Sequence, residues 1–103
     1  MNILLLAASL VLPIAMVADG LTSVELFKAG SHETDLLMVK IYGTNRPSAK
    51  RVYLTGLIAL VVELGVAWAI GVHHPVAADV LGCLGLGQAV AHTYCAVHNF
   101  KLL

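Results

Sequence analysis

The chain has 103 residues, of which 59% are hydrophobic and 12% are charged, and its mean hydropathy is +0.89. A soluble domain carries roughly 25% charged residues, so this composition predicts a single domain that has lipid rather than water as its solvent. The formal net charge is zero, which gives no electrostatic support for binding nucleic acid.

The first predicted element is a transmembrane helix over residues 3–28. Its purely apolar part ends at Ala18 and is shorter than the roughly 20 residues that a crossing needs, so we expect the helix to continue through polar residues. A secretory signal peptide is the alternative. No Lys or Arg precedes the apolar run, whereas a signal peptide normally begins with positive charge. We therefore expect the segment to be retained as a helix.

A loop over residues 29–51 follows the first helix. Gly30 is predicted to end that helix and Ser31 to cap the next one. A short interfacial helix is expected over 33–42, and the composition of residues 43–48 indicates a turn.

Two further apolar segments, 52–72 and 76–99, are each long enough to span a bilayer. Pro75 is expected at the first turn of the third span, where proline is tolerated. Because few residues separate the two segments, they should form an antiparallel hairpin. The predicted architecture is an all-α integral membrane protein with one transmembrane domain over 1–103, three transmembrane helices near 3–28, 52–72 and 76–99, and a short interfacial helix.

Glu63 lies at the middle of the longest apolar run, Val52 to Val72. A carboxyl group at that depth is expensive in lipid and is expected to face protein or a water-filled cavity. Gly56 and Ala59 share its helix face, and such small residues allow another helix to approach.

Polar residues also follow one face of the first and third spans, since side chains three and four positions apart stack on a helix. The two stripes contain Asp19, Thr22 and Ser23 on the first helix, and Gln88, His92, Cys95 and Asn99 on the third. Counting about 1.5 Å per residue places Asp19 level with His92, and Glu63 level with Gln88 near the midplane. We therefore predict these two pairings.

The plainest interpretation is that these polar groups hold helices together. A second interpretation is a proton relay through Asp19, Glu63, Gln88 and His92, with Thr22, Ser23 and Asn99 in support. A metal site made of Asp19, Glu63 and His92 is a third, but the sequence has no His-x-x-x-His or Cys-x-x-Cys pair. Haem ligation is disfavoured because His92 and His98 point to different sides of one helix. We expect no metal, no cofactor and no catalytic residue.

The third span also contains both cysteines and a glycine-rich stretch. Cys83 and Cys95 lie about 18 Å apart along a helix, so they are predicted to be free, buried thiols. The stretch over 82–87 is predicted to allow close helix packing. A phosphate-binding loop would need a preceding strand and a lysine, and we expect neither here.

All six basic residues flank or fill the first loop or follow the third span: Lys28, Lys40, Arg46, Lys50, Arg51 and Lys101. By the positive-inside rule, the N-terminus is expected outside, with the first loop and C-terminus cytoplasmic. The predicted location is a prokaryotic inner membrane.

Several short motifs occur in a familiar order along the chain: Asp19-x-x-Thr22, then Gly30 and Glu33, then Lys50-Arg51, and finally Asn99. This order resembles an uncharacterised family of small prokaryotic three-helix integral membrane proteins. The family pattern has Asn-Pro soon after the glutamate, whereas Thr34-Asp35 stands here. The resemblance implies a three-helix fold and no established activity.

The function expected from these features is that of a non-enzymatic membrane subunit that packs into a homo-oligomer or a larger membrane complex. Its partners would be the lipid bilayer and other membrane subunits or copies of itself, with no nucleic acid. The alternatives are a small proton- or ion-coupled transporter or channel using Glu63, a holin-like pore, and an intramembrane enzyme. The C-terminal residues 99–103 lack the strongly basic tail that holins usually have.

Overall fold

A computed structural model describes residues 2–103, and the regular secondary structure of this range is helical, without any strand. It contains α1 (Ile3–Lys28), α2 (Leu36–Tyr42), α3 (Ala49–Gly71) and α4 (Pro75–Leu102). The helices α1, α3 and α4 are each long and apolar enough to cross a membrane. The predicted all-α architecture, with three spans and a short helix in the first loop, is confirmed.

The end of α1 is a Schellman motif built on glycine. Gly30 has a φ of 102°, a left-handed conformation that favours glycine. The Ser31 amide donates to the Leu26 carbonyl at 3.0 Å, and the Gly30 amide donates to the Phe27 carbonyl at 3.1 Å. These two bonds satisfy carbonyls at the helix end, so Gly30 ends α1 as predicted.

The predicted cap of the second helix is wrong. Asp35 is the capping residue, and its carboxylate accepts a hydrogen bond from the Leu37 amide at 2.9 Å. Ser31 cannot cap this helix because it belongs to the end of α1 and lies four positions before Asp35, the residue next to the first helical position. The helix therefore begins three residues later than the predicted range of 33–42.

The bounds of the two later spans differ slightly from the prediction. The helix α3 begins at Ala49, because the Ser48 hydroxyl accepts a hydrogen bond from the Arg51 amide at 3.3 Å and caps it. Pro75 occupies the first turn of α4, as predicted, and the helix continues to Leu102.

The helices α1 and α4 run parallel, and α3 runs antiparallel to both. Three apolar clusters lie at successive levels along the bundle and establish this order. Their buried members are Leu5, Ala67 and Ala78 at one end, Leu12, Ala15 and Ala89 in the middle, and Val24, Tyr42 and Val52 at the other end. All six Lys and Arg residues therefore belong to the end where α1 and α4 finish and α3 begins.

The closest helix contact joins α1 to α4 through small residues. A Cβ atom placed on Gly82 would lie 2.6 Å from the backbone of Leu4 and Leu5, and one on Gly85 would lie 2.9 Å from Cβ of Ala8. Both glycines are buried. The predicted use of this glycine-rich stretch for close packing is thus confirmed at Gly82 and Gly85, whereas Gly87 has open space beside it.

The cysteines do not lie where the sequence predicted. Cys83 and Cys95 are free, as expected, but both are exposed on the surface of α4. The inward face of α4 is occupied by alanine and glycine, including Gly82 and Ala96. Because each cysteine is adjacent to one of those residues, it points about 100° away from the packed face.

The helix α3 is the most loosely packed of the three spans. Val52 and Ala67 are its buried residues, and they lie near its two ends. Between them, large apolar side chains such as Leu57, Val61 and Val62 are more than half exposed. In a membrane, this surface meets lipid or another helix.

Candidate functional site

A carboxylate–imidazole pair joins α1 to α4. Nδ1 of His92 lies 2.7 Å from Oδ2 of Asp19, and the side chains are 35% and 21% exposed, respectively. This is the pair that equal depth predicted. The pair lies between the middle of the bundle and the end that carries the Lys and Arg residues.

Asn99 extends this pair into a network. Its amide nitrogen lies 3.3 Å from Oδ1 of Asp19, 3.2 Å from Oγ1 of Thr22 and 3.1 Å from Oγ of Ser23. The Ser23 hydroxyl also donates to Oδ1 of Asp19 at 3.2 Å. Three oxygen acceptors from α1 thus surround one donor group of α4. We call these residues the polar network: Asp19, Thr22 and Ser23 of α1, and His92 and Asn99 of α4.

The hydrogen bonds assign chemical roles within the polar network. Oδ1 of Asp19 accepts hydrogen bonds from the Ser23 hydroxyl and the Asn99 amide, an arrangement that suits an ionised carboxylate because that group accepts and cannot donate. With Asp19 ionised, Nδ1 of His92 is the atom that donates to Oδ2. Nε2 of His92 makes no hydrogen bond to residues 2–103, so it is available to a hydrogen-bonding group from outside the bundle.

Glu63 occupies a separate position. It is half-buried and lines a groove of about 440 Å³ between α3 and α4, together with Gln88 and apolar residues that include Leu5 and Ala67. Within the described range, no hydrogen bond joins Glu63 to Gln88 or to any other residue. The two residues therefore share a groove, but the predicted direct pairing is absent because α3 and α4 do not close over it.

The groove and the polar network are neighbours along α4. Gln88 and His92 are four residues apart, so they share one face of the helix about 6 Å apart along its axis. Polar side chains therefore continue from the Glu63 groove towards Asp19 without a change of helix face.

Two polar contacts that the sequence reasoning missed hold the opposite end of the bundle. The Trp68 indole N–H donates to Oγ of Ser9 at 2.8 Å, and the Asn2 amide donates to Oδ1 of Asp79 at 2.6 Å. Trp68 is the single tryptophan, and a buried indole N–H usually finds an acceptor. Ser9 is isolated in the apolar part of α1, and this was the sequence signal that could have located the contact with Trp68.

The alternative metal site is not assembled. No three His, Cys, Asp or Glu side chains in residues 2–103 are close enough to share a metal ion. Asp19 and His92 meet, but Glu63 stays in its own groove. The other hydrogen-bond partners of the Asp19 carboxylate are the Asn99 amide and the Ser23 hydroxyl.

Searches for related proteins found no significant match among protein families, curated proteins or solved structures. The helices and the polar side chains between them are therefore the basis for any functional proposal.

Proposed function

We propose that this protein is a small, non-enzymatic integral membrane subunit that packs through α3 into a homo-oligomer or a larger membrane complex. The observation that carries this proposal is Glu63. This carboxyl group lies halfway along a spanning helix, in an open and mainly apolar groove, without a hydrogen-bond partner among the described residues.

The energetics favour a partner helix at this position. A charged side chain at the centre of a spanning helix costs about 2.5–3.5 kcal/mol on insertion scales. A hydrogen bond between helices recovers about 0.6–2 kcal/mol, so a donor from another subunit would offset part of that cost. Gly56 lies two turns away on the same face of α3, and the space beside it is open, which leaves room for close approach.

The proposed topology places the N-terminus outside and the first loop and C-terminus in the cytoplasm, in a prokaryotic inner membrane. Its support is the gathering of all six Lys and Arg residues at one end of the bundle. Basic residues accumulate on the cytoplasmic side of bacterial membrane proteins.

Extraction from native membranes tests the subunit proposal. We expect the wild-type chain to migrate as an assembly, E63Q to retain it because an amide still donates and accepts, and E63L to weaken it. E25L is the matched control, since Glu25 is exposed at the end of α1, outside the groove. A monomer without any partner, or an E63L assembly as stable as the wild type, would contradict the proposal.

A small proton- or ion-coupled transporter or channel is the second candidate. The polar face of α4 that connects the Glu63 groove with the Asp19–His92 pair favours it. Reconstitution into liposomes with a pH-sensitive dye discriminates between the two. The transporter predicts that E63Q assembles normally and abolishes flux, whereas the subunit proposal predicts little functional change.

A further inference from the structure

A second groove, of about 610 Å³, lies between α2 and the start of α3, and basic side chains dominate it. Three of its lining residues carry positive charge: Lys40 from α2, and Lys50 and Arg51 from α3. None of its lining residues is acidic. A chain with no net charge thus places half of its six basic residues around one groove.

These cations are not neutralised within the molecule. Across residues 2–103, the ion pairs are Lys28 with Glu25 and His92 with Asp19. Lys40, Lys50 and Arg51 have no such partner. Their charges are available to an anion that enters the groove.

Arg51 is fixed in position by the end of α2. Its guanidinium donates to the carbonyl of Tyr42, and Gly43 ends α2 with a φ of 75°. A Cβ atom on Gly43 would lie 3.6 Å from Nη1 of Arg51, so the guanidinium packs closely over this turn. A guanidinium has five N–H donors, and those not used by Tyr42 remain for a ligand.

The position of the groove relative to the spanning helices indicates the kind of anion. It lies where α3 begins its crossing, and the helix dipole adds positive potential there. Ile41 and Leu54, which also line it, are 54% and 50% exposed. A ligand with an anionic head and an apolar chain would match both features.

We propose that this groove binds the phosphate group of an anionic lipid at the membrane surface. Arg51 supplies planar, paired donors to phosphate oxygens, and Lys40 and Lys50 supply point charges. The acyl chains lie along Leu54 and the apolar surface of α3. Basic pockets beside spanning helices are established sites for lipid head groups in other proteins. The site is independent of Glu63 and of the subunit proposal.

The test uses the full chain reconstituted in phosphatidylcholine vesicles with and without phosphatidylglycerol, followed by native mass spectrometry of the retained lipid. We expect retained lipid to be enriched in phosphatidylglycerol. The double variant K40Q/K50Q, which leaves the Arg51–Tyr42 contact in place, should lower that retention by about fivefold per charge removed. The variant K50R should retain the lipid.

The matched control is K101Q, which removes one charge at the same end of the bundle but outside the groove. K101Q is compared with the single variant K50Q, since each removes one charge. An equal loss of retention in the two would mean diffuse attraction to the membrane and would overturn the site. Equal retention of the two lipids would overturn it as well. Inorganic phosphate, added to the detergent-purified chain, tests whether the ligand is free phosphate or the phosphate of a lipid head group. Binding of inorganic phosphate without phosphatidylglycerol enrichment would refute a lipid ligand.

Discussion

Nδ1 of His92 lies 2.7 Å from Oδ2 of Asp19, which ties α1 to α4 across 73 positions of sequence. The two helices run parallel, so this contact lies beyond the small-residue packing at Gly82 and Gly85 that holds their first halves together. Apolar close packing secures one half of the α1–α4 interface, and the polar network secures the other half.

The Asp19–His92 hydrogen bond should appear as a coupling energy. In a double-mutant cycle with D19N and H92A, we expect the two losses of unfolding free energy to be non-additive by about 0.6–1.7 kcal/mol, the range for hydrogen bonds between membrane helices. Unfolding by sodium dodecyl sulfate from mixed micelles measures it. The control cycle pairs H92A with D79N, at the opposite end of α4, and should be additive. Additivity in both cycles would contradict the contact.

Gly82 should tolerate no side chain. In G82A, the new methyl group would meet the Leu4 and Leu5 backbone at 2.6 Å, so α1 and α4 must separate, with a loss of about 1–3 kcal/mol typical of overpacking. G87A is the matched control on the same helix, because nothing lies within 4 Å of a Cβ atom there. Its stability should equal or exceed that of the wild type by up to about 1 kcal/mol. The same unfolding assay compares the two, and equal destabilisation would argue against this helix interface.

The Trp68–Ser9 hydrogen bond can be followed by fluorescence, because Trp68 is the single tryptophan. Removing the acceptor in S9A should shift the emission maximum to shorter wavelength, since the excited indole loses a polar partner. The unfolding free energy should fall by about 0.6 kcal/mol, an average value for such bonds in membranes. S23A, which alters the polar network near the other end of α1, should leave the emission unchanged. An identical spectrum for S9A would disprove the contact.

The Tyr42 phenol should lose its proton at a higher pH than an ordinary tyrosine does. Burial, followed by the negative charges of Glu33 and Asp19, raises the pKa of the Tyr42 phenol above its usual value of about 10. Because the folded pKa exceeds the unfolded one, the stabilisation is complete below pH ~10 and is lost as the pH rises through the folded value. In the variant Y53F/Y94F, tyrosinate absorbance reports Tyr42 alone.

Adding E33Q to that variant should lower the Tyr42 pKa, because one of the repelling charges is removed. The detergent-unfolded chain provides the reference titration. If the Tyr42 phenol has the same pKa in the folded protein as in this reference, Tyr42 is solvated and the prediction is wrong.

Much of the fold follows from length and hydropathy read along one dimension. An apolar run of about 20 residues predicts a span, and successive spans must alternate in direction, which makes α1 and α4 parallel. Depth is also a one-dimensional quantity, and counting from the helix ends therefore brought Asp19 level with His92. Counting equally brought Glu63 level with Gln88, where no hydrogen bond forms.

Rotation about each helix axis and the distance between neighbouring helices were not readable in this way. Hydropathy is nearly uniform around a helix that lies in lipid, so it does not reveal which face packs inward. The polar stripes had placed Asn99 on the same face as His92, but the apolar contacts, such as Gly82 against the Leu4–Leu5 backbone, decide the rest of the interface and turn the cysteines of α4 outward. The chain alone therefore specified spans, order, depth and the polar stripes of α1 and α4, while the three-dimensional packing selected the apolar faces that meet.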